Sequence, residues 1–264
     1  MGRFEHKVIW ITGASSGIGE ALACEWSKMG ARLILSGRRE SELEKVKAAC
    51  AHSELCTIVP FDLADQRQVE AAADRVLQQF GAVDILVNNG GISQRSLAVE
   101  TELSVDRRIM EVDYFSGVAL VKKLLPVMAE RKSGHIVVVS SIVGKFGFPL
   151  RSAYSAAKHA LHGFYESVWA ELHMQGVRVT IVCPGRILTD VSLHALTKDG
   201  TPHGVMDHGQ KNGISATTCA RKIIKAVGRN KKEIYIGKMD LLMIYFKRYI
   251  PWLYYLLVSK VQPR

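Results

Sequence analysis

The run Thr12-Gly13-Ala14-Ser15-Ser16-Gly17-Ile18-Gly19 stands between a β-branched apolar stretch at residues 8–11 and a helically spaced stretch at residues 17–29. That placement limits the folds open to the chain. Strand, glycine turn and helix, in this order, form the corner that cradles the phosphates of a dinucleotide. Gly13 permits the tight turn, Gly17 lets backbone approach a pyrophosphate, and Gly19 lets the helix pack on the sheet. The helix start adds unpaired N–H groups and a partial positive charge. Ser15 and Ser16 add hydroxyl donors, and Ile18 completes the loop. The competing reading is an ordinary glycine turn, and the flanking elements weigh against it.

The pattern then repeats. Short apolar runs at 32–35, 56–59, 85–87, 136–139, 177–182 and 233–236 alternate with helical patterns at 41–51, 66–80, 104–130, 152–174 and 216–227. Continuous β-branched runs between helices predict a parallel sheet covered on both faces. The chain has 264 residues, is 48% hydrophobic, and shows neither an internal repeat nor a low-complexity linker. Residues 1–240 are therefore predicted to form a single doubly wound, Rossmann-type α/β domain. Residues 241–264 stand apart, as an apolar, aromatic arm broken by Lys247-Arg248 and Pro251. A spanning helix needs about 20 largely apolar residues, which this arm does not supply. Two expectations stay open: peripheral membrane contact through residues 241–258, or packing on the chain's own domain or on a partner copy.

Composition excludes other classes. The net charge is +10, but the basic residues are scattered, with short clusters at Arg38-Arg39, Lys122-Lys123 and Lys231-Lys232. No arginine-rich arm or aromatic-basic signature points to nucleic acid. The five cysteines form no CxxC pair, so neither a disulfide framework nor a metal site is expected. Cys183 lies in an apolar run and reads as a buried thiol. Reduced thiols and a polar stretch at residues 1–7 without a signal-peptide core point to a cytosol-facing protein.

Polar residues gather where the strands end. The second strand runs into Arg38-Arg39, where a carboxylate would bind the ribose hydroxyls of NAD. Two guanidinium groups suit a 2′-phosphate instead, which favours NADP(H) over NAD(H). Asp62 follows the third strand and is read as a partner for the adenine amine or as a helix cap. Asn88 follows the fourth strand and is read as a brace for the sheet beside the cofactor. Pro184, Gly185 and Thr189 follow the sixth and are placed against the nicotinamide.

Tyr154 and Lys158 share one helix face at i and i+4. A cation beside a phenol stabilises the phenolate, and a phenol so tuned can exchange a proton with a carbonyl or alcohol oxygen. That pair alone is common on helix surfaces. Here it comes 13 residues after Ser141 (154 − 141), whose hydroxyl sits at a strand's carboxyl end. Convergence of these groups on one crevice is the stronger signal.

Together, TGASSGIG at 12–19, NNGG at 88–91, SSIVG at 140–144, YSAAK at 154–158 and PGRILT at 184–189 resemble the short-chain dehydrogenase/reductase family over about residues 5–237. The resemblance is strongest to its member 7 subgroup, through NNGGISQRSL and the aromatic tail. It implies hydride transfer between a nicotinamide and a carbonyl or alcohol, with Ser141, Tyr154 and Lys158 as catalytic group. It also implies that Lys158 holds the nicotinamide ribose, that Ser16, Ile18 and Thr189 touch the cofactor, and that the chain forms a homodimer or homotetramer. Membrane-associated relatives imply the cytosolic face of the endoplasmic reticulum and steroid, retinoid or other lipophilic carbonyl substrates. The chain departs from the pattern at Asp113, where the family carries an Asn that holds a relay water. An ionised Asp accepts that water's hydrogen bond but donates none, and it can pair with Lys158.

Residues 186–213 are expected to form a lid, with Gly200, Gly204 and Gly209 giving mobility and His194, His203 and His208 solvated. Phe146, Phe148, Pro149 and Leu150 are expected to line an apolar substrate pocket. Rival readings are a nucleotide-binding sensor that has lost catalysis and a membrane-tethered scaffold.

Overall fold

The computed structural model describes residues 2–261. Its strands are β1 (Val8–Thr12), β2 (Arg32–Ser36), β3 (Cys56–Ile58), β4 (Ile85–Asn88), β5 (Gly134–Val139), β6 (Val177–Pro184), β7 (Ile187–Leu188), β8 (Ile214–Ser215) and β9 (Glu233–Ile236). Its helices are α1 (Gly17–Ser27), α2 (Glu40–Ala49), α3 (Gln66–Phe80), α4 (Leu103–Met110), α5 (Ser116–Glu130), α6 (Ser152–Leu172), α7 (His208–Lys211), α8 (Ala216–Gly228), α9 (Leu242–Tyr249) and α10 (Pro251–Ser259). Seven strands form one parallel sheet in the order β3-β2-β1-β4-β5-β6-β9. The chain first builds outward from β1 to β3, then crosses back and builds the other way from β4. The carboxyl ends of β1 and β4 therefore part around a crevice, as the reversal of strand order requires.

Alternate residues of each strand enter opposite layers. Ile9 and Ile11 of β1 pack with Leu22 and Trp26 of α1 and with Ile223 and Val227 of α8. Val8 and Trp10 pack with Val69 and Val76 of α3, Leu120 and Leu124 of α5 and Tyr165 of α6. Both layers are dry, and Trp10, Trp26 and Tyr165 are fully buried. The Trp10 indole still needs an acceptor and finds it in Ser36 Oγ at 2.8 Å.

Three departures from the sequence expectations have physical reasons. The stretch 104–130 is not one helix. A π-helical turn at Glu111–Phe115 separates α4 from α5, and Ser116 Oγ donates to Val112 O there at 2.7 Å. A single extra residue in a helix hardly disturbs its apolar spacing, so the pattern hides it. Asp65, not Asp62, caps α3, accepting from the N–H groups of Arg67 and Gln68 at 3.0 and 3.2 Å. The arm forms two helices broken at Pro251, and it packs on its own domain. Ile244 and Tyr254 join Ile142, Val143 and Phe146, with the Phe146 and Tyr254 rings edge to face at 5.8 Å. The opposite face leaves Tyr249, Trp252 and Tyr255 exposed. Residues 262–264 of the predicted arm, and Met1, lie outside the described residues. Among the described residues, no helix is long and apolar enough to cross a membrane.

The α1–α8 layer is tied by Glu25. Its carboxylate accepts from Arg221 Nε at 2.9 Å and Lys28 Nζ at 2.6 Å. These bonds hold the Glu25 pKa at about 2, below the ordinary 4.5. A depressed carboxylate contributes stability that is present above its unfolded pKa and lost as pH falls through its folded one. Wild-type melting temperature should therefore drop between pH 4.5 and about 2 with a slope that Glu25→Gln lacks. Parallel acid limbs for the two proteins would show that the pair contributes nothing.

Candidate active site

The crevice at the carboxyl ends of the strands encloses about 510 Å³. Gly13, Ser15, Ser16, Gly17 and Ile18 form one wall, Arg38 and Arg39 one end, and Ser141, Tyr154 and Lys158 the other wall. Asp62, Asp113, Pro184, Gly185 and Thr189 also line it. Gly13 and Gly17 both take φ +60°, the left-handed region that glycine tolerates. A Cβ on Gly13 would lie 2.6 Å from Gly90 Cα, so the turn is closed against the loop after β4. A Cβ on Gly19 would meet Gly13 O at 2.2 Å. Gly19 thus stays outside the crevice and lets α1 start directly beneath the turn.

Asn88 lies apart from the crevice wall. Its Nδ2 donates to Tyr165 Oη at 2.7 Å and to Gly117 O at 3.3 Å, tying β4 to α5 and α6. Its neighbour Asn89 lines the crevice instead and pins the glycine turn, donating from Nδ2 to Thr12 O and Gly13 O at 3.0 and 3.1 Å. Asp62 accepts from Ala64 N–H at 3.0 Å and faces the same crevice as Arg108, which the sequence reading passed over.

The α6 wall is held from two sides. Arg151 precedes the helix without a capping bond, and Gln94 supplies one, its Oε1 accepting from Ala153 N–H at 2.9 Å. Gln94 is fully buried and also donates to Ser152 Oγ and Thr101 Oγ1. Tyr154 then faces the crevice, and the Lys158 ammonium lies 5.4 Å from its ring centroid. Ser141 Oγ contacts Pro184 O at 3.4 Å, which joins the ends of β5 and β6.

Lys158 is almost wholly buried. It donates to Val139 O at 3.1 Å and forms an ion pair with Asp113 Oδ2 at 3.1 Å. Burial works against its charge, but Asp113 and Tyr154 outweigh it and hold the ammonium pKa above its ordinary value. Burial also dominates at Asp113, raising its pKa against the pull of Lys158 and of the Ile92 N–H that donates to Oδ1 at 2.7 Å. Oδ1 of Asn88 has no hydrogen-bond donor and Oδ2 of Asp113 has none besides the Lys158 ammonium, and both residues border a chamber of about 10 Å³ beside Lys158. That is about the room one water needs.

The segment 186–213 runs over the crevice, where Val191, His194, Leu196, Gly200, Pro202 and Gln210 line it. Asp207 anchors it, accepting from Arg95 Nε at 3.2 Å and Arg151 Nη2 at 3.0 Å. Phe146, Phe148, Pro149 and Leu150 do not line the crevice. Phe146 is buried beneath Tyr254, and Phe148 packs in the same cluster. The apolar lining comes from Ile92, Val112, Ile187, Val191, Leu196 and Pro202 instead.

A family description, short chain dehydrogenase, matches residues 7–199. The chain belongs to the short-chain dehydrogenase/reductase family and is an NAD(P)-dependent oxidoreductase. Within that family it is 42% identical over 263 residues to dehydrogenase/reductase SDR family member 7B of Bos taurus, covering 96% of this chain and 81% of the relative. It is 41% identical over 251 residues to member 7 of Homo sapiens, covering 92% and 74%. A short-chain dehydrogenase from Streptomyces avermitilis superposes with a TM-score of 0.83 at 29% identity, covering 97% of this chain and 98% of that one. The fold is shared at 24% identity with a Burkholderia phymatum family member in complex with NAD (TM-score 0.84, 96% of each chain). It is shared equally with a Burkholderia cenocepacia member in complex with NADP (TM-score 0.78, 97% and 98%).

Removing one partner of a buried ion pair leaves an uncompensated charge, at a cost of about 3 kcal/mol or more. Asp113→Ala should lower stability by that order in urea denaturation, and an added Lys158→Met should recover most of it. If Asp113→Ala melts with the wild type, the pair carries no net stability.

Proposed function

We propose that the protein is an NADP(H)-dependent reductase of lipophilic carbonyl compounds, of the steroid, retinoid, aromatic ketone or quinone class. The observation that carries this reading is that Ser141, Tyr154 and Lys158 share one crevice with the glycine turn and Arg38-Arg39. The crevice fits a dinucleotide: its volume lies in the range of small-molecule sites, and Gly17 leaves backbone bare where a Cβ would stand 3.0 Å from Thr189 across the cradle. Arg38 and Arg39 would pair with a 2′-phosphate, and residues 36–39 at the end of β2 include no carboxylate to take ribose hydroxyls, Glu40 opening α2 outside the crevice. Ser15, Ser16 and Ile18 would hold the pyrophosphate with the start of α1, and Pro184, Gly185 and Thr189 the nicotinamide end.

When bound, the nicotinamide supplies the hydride. Tyr154 gives its phenolic proton to the carbonyl oxygen as negative charge grows there. Ser141 Oγ donates a second hydrogen bond to the same oxygen. Lys158 spends two of its three donors near Val139 O and Asp113 and keeps a third for the ribose. Its charge stabilises the tyrosinate left behind. Asp113 and Asn88 accept from a water in the chamber beside Lys158, which carries the replacement proton. The apolar lining from Ile92, Val191, Leu196 and Pro202 favours a lipophilic substrate. Residues 1–240 form the catalytic unit in this reading. The exposed aromatic face of α9 and α10, with Lys247 and Arg248, supports peripheral contact with the cytosolic face of the endoplasmic reticulum. A homodimer or homotetramer fits the family's habit.

Fluorescence titration should give a dissociation constant for NADPH at least about tenfold below that for NADH, and Arg38→Ala with Arg39→Ala should erase the difference. Turnover of apolar ketones should fall by about 10²-fold or more in Tyr154→Phe, with NADPH binding kept. Asp113→Asn tests the relay: a large rise in turnover would mean that the carboxylate impairs it. Failure to bind either nucleotide overturns the proposal, and tight binding without turnover on any carbonyl favours the sensor.

A further inference from the structure

Behind the wall that carries Ser141 lies a second polar cluster that the reading above does not use. His162 of α6, Cys183 of β6 and Glu233 of β9 bring one nitrogen, one sulfur and one carboxylate oxygen within 4.8 Å of one another. Cys183 Sγ is 3.5 Å from Glu233 Oε1, and His162 Nδ1 is 3.6 Å from the same oxygen. His162 is 7% exposed and Cys183 fully buried. The residues are 21 and 50 positions apart (183 − 162 and 233 − 183), so no spacing in the sequence reveals them.

Two groups approach His162 Nε2, Ser140 Oγ at 3.1 Å and Cys183 Sγ at 3.7 Å. Ser140 Oγ donates to Lys158 O at 3.1 Å, so toward His162 Nε2, also at 3.1 Å, it accepts. With the ring proton on Nε2, directed at Ser140, Nδ1 presents a bare lone pair. That nitrogen is buried and has no hydrogen-bond donor. It faces Glu233 acceptor to acceptor, an arrangement that a cation between them would relieve. The cation that now attends the carboxylates is Lys145, with Nζ 2.6 Å from Glu233 Oε1 and 4.0 Å from Glu166 Oε1.

We propose that His162, Cys183 and Glu233 form a binding site for zinc or a similar divalent cation. Zinc takes nitrogen, sulfur and carboxylate donors in a tetrahedron whose edges are about 3.3–3.7 Å. The 3.5 and 3.6 Å separations at Glu233 Oε1 match such edges. Glu166 Oε1, 3.8 Å from His162 Nδ1 and one helical turn further along α6, lies on the solvent side of the three ligands and would complete the tetrahedron only by turning its exposed side chain inward. Binding releases the Cys183 thiol proton to solvent and displaces the Lys145 ammonium, so charge is conserved at the site. Ser140 accepts from the imidazole N–H, the outer contact that metal-bound histidines use. Through Ser140 the metal is linked to the carbonyl of Lys158, and it ties α6, β6 and β9 together.

The test is titration of the chelator-stripped full-length protein with Co2+, followed by displacement with Zn2+. One equivalent of Co2+ should produce a near-ultraviolet thiolate-to-cobalt charge-transfer band that Zn2+ bleaches. The band should be absent in Cys183→Ser, and affinity should fall about tenfold or more in Glu233→Gln. Lys145→Met should change affinity the other way, about tenfold tighter, because the competing ammonium is gone. A misfolded variant cannot give that gain, so the proposal stays testable if Cys183→Ser fails to fold. No band in the wild type overturns the site. So does a band that survives in Cys183→Ser, which would assign the metal to one of the other cysteines, Cys24, Cys50, Cys56 or Cys219.

Discussion

A buried ammonium has to be answered by buried acceptors, and much of the crevice is arranged around that demand at Lys158. Val139 O and Asp113 answer it. Asp113 in turn needs the Ile92 N–H, and it reaches that group because Gly91 has no side chain: a Cβ there would stand 3.1–3.3 Å from the carboxylate atoms. Asp113 sits within the π-helical turn between α4 and α5. The glycine pair after β4, the distorted helix and the α6 wall are thus parts of one electrostatic arrangement. A carboxylate in place of an amide makes the arrangement stiffer in charge, because neither partner can be neutralised without stranding the other.

The segment 186–213 and the α6 wall share anchors. Asp207 holds that segment to Arg151, the residue just before α6, and to Arg95. Gln94, next to Arg95, caps that same helix. The segment 186–213 is thus tied to residues that set the start of the helix carrying Tyr154 and Lys158.

Much of this was legible in the sequence, for identifiable reasons. Strands buried on both faces declare themselves as β-branched runs, and the patterns at 66–80 and 233–236 coincide with α3 and β9. The glycine turn was legible because bare backbone is a composition signal. Three kinds of feature were not. A π-turn adds one residue without breaking the apolar spacing, so 104–130 reads as continuous. Gln94 caps a helix 59 residues away (153 − 94), and no local pattern records such a partner. Phe146 and Phe148 look like pocket residues because they precede Tyr154. Their rings are instead taken up by an arm that begins more than ninety residues later (242 − 146 = 96). Asn88 and Asn89 are adjacent in a strand's exit, and alternation sends one inward and the other to the crevice.

The packing of Tyr254 on Phe146 has a consequence for how the protein is made. On the ribosome, the sheet and α6 emerge well before α9 and α10. Until Tyr254 arrives, the nascent domain carries Ile142, Val143 and Phe146 uncovered next to Ser141, a sticky patch of the kind that chaperones bind during synthesis. The patch behind Ser141 is thus among the last apolar surfaces of the fold to be covered.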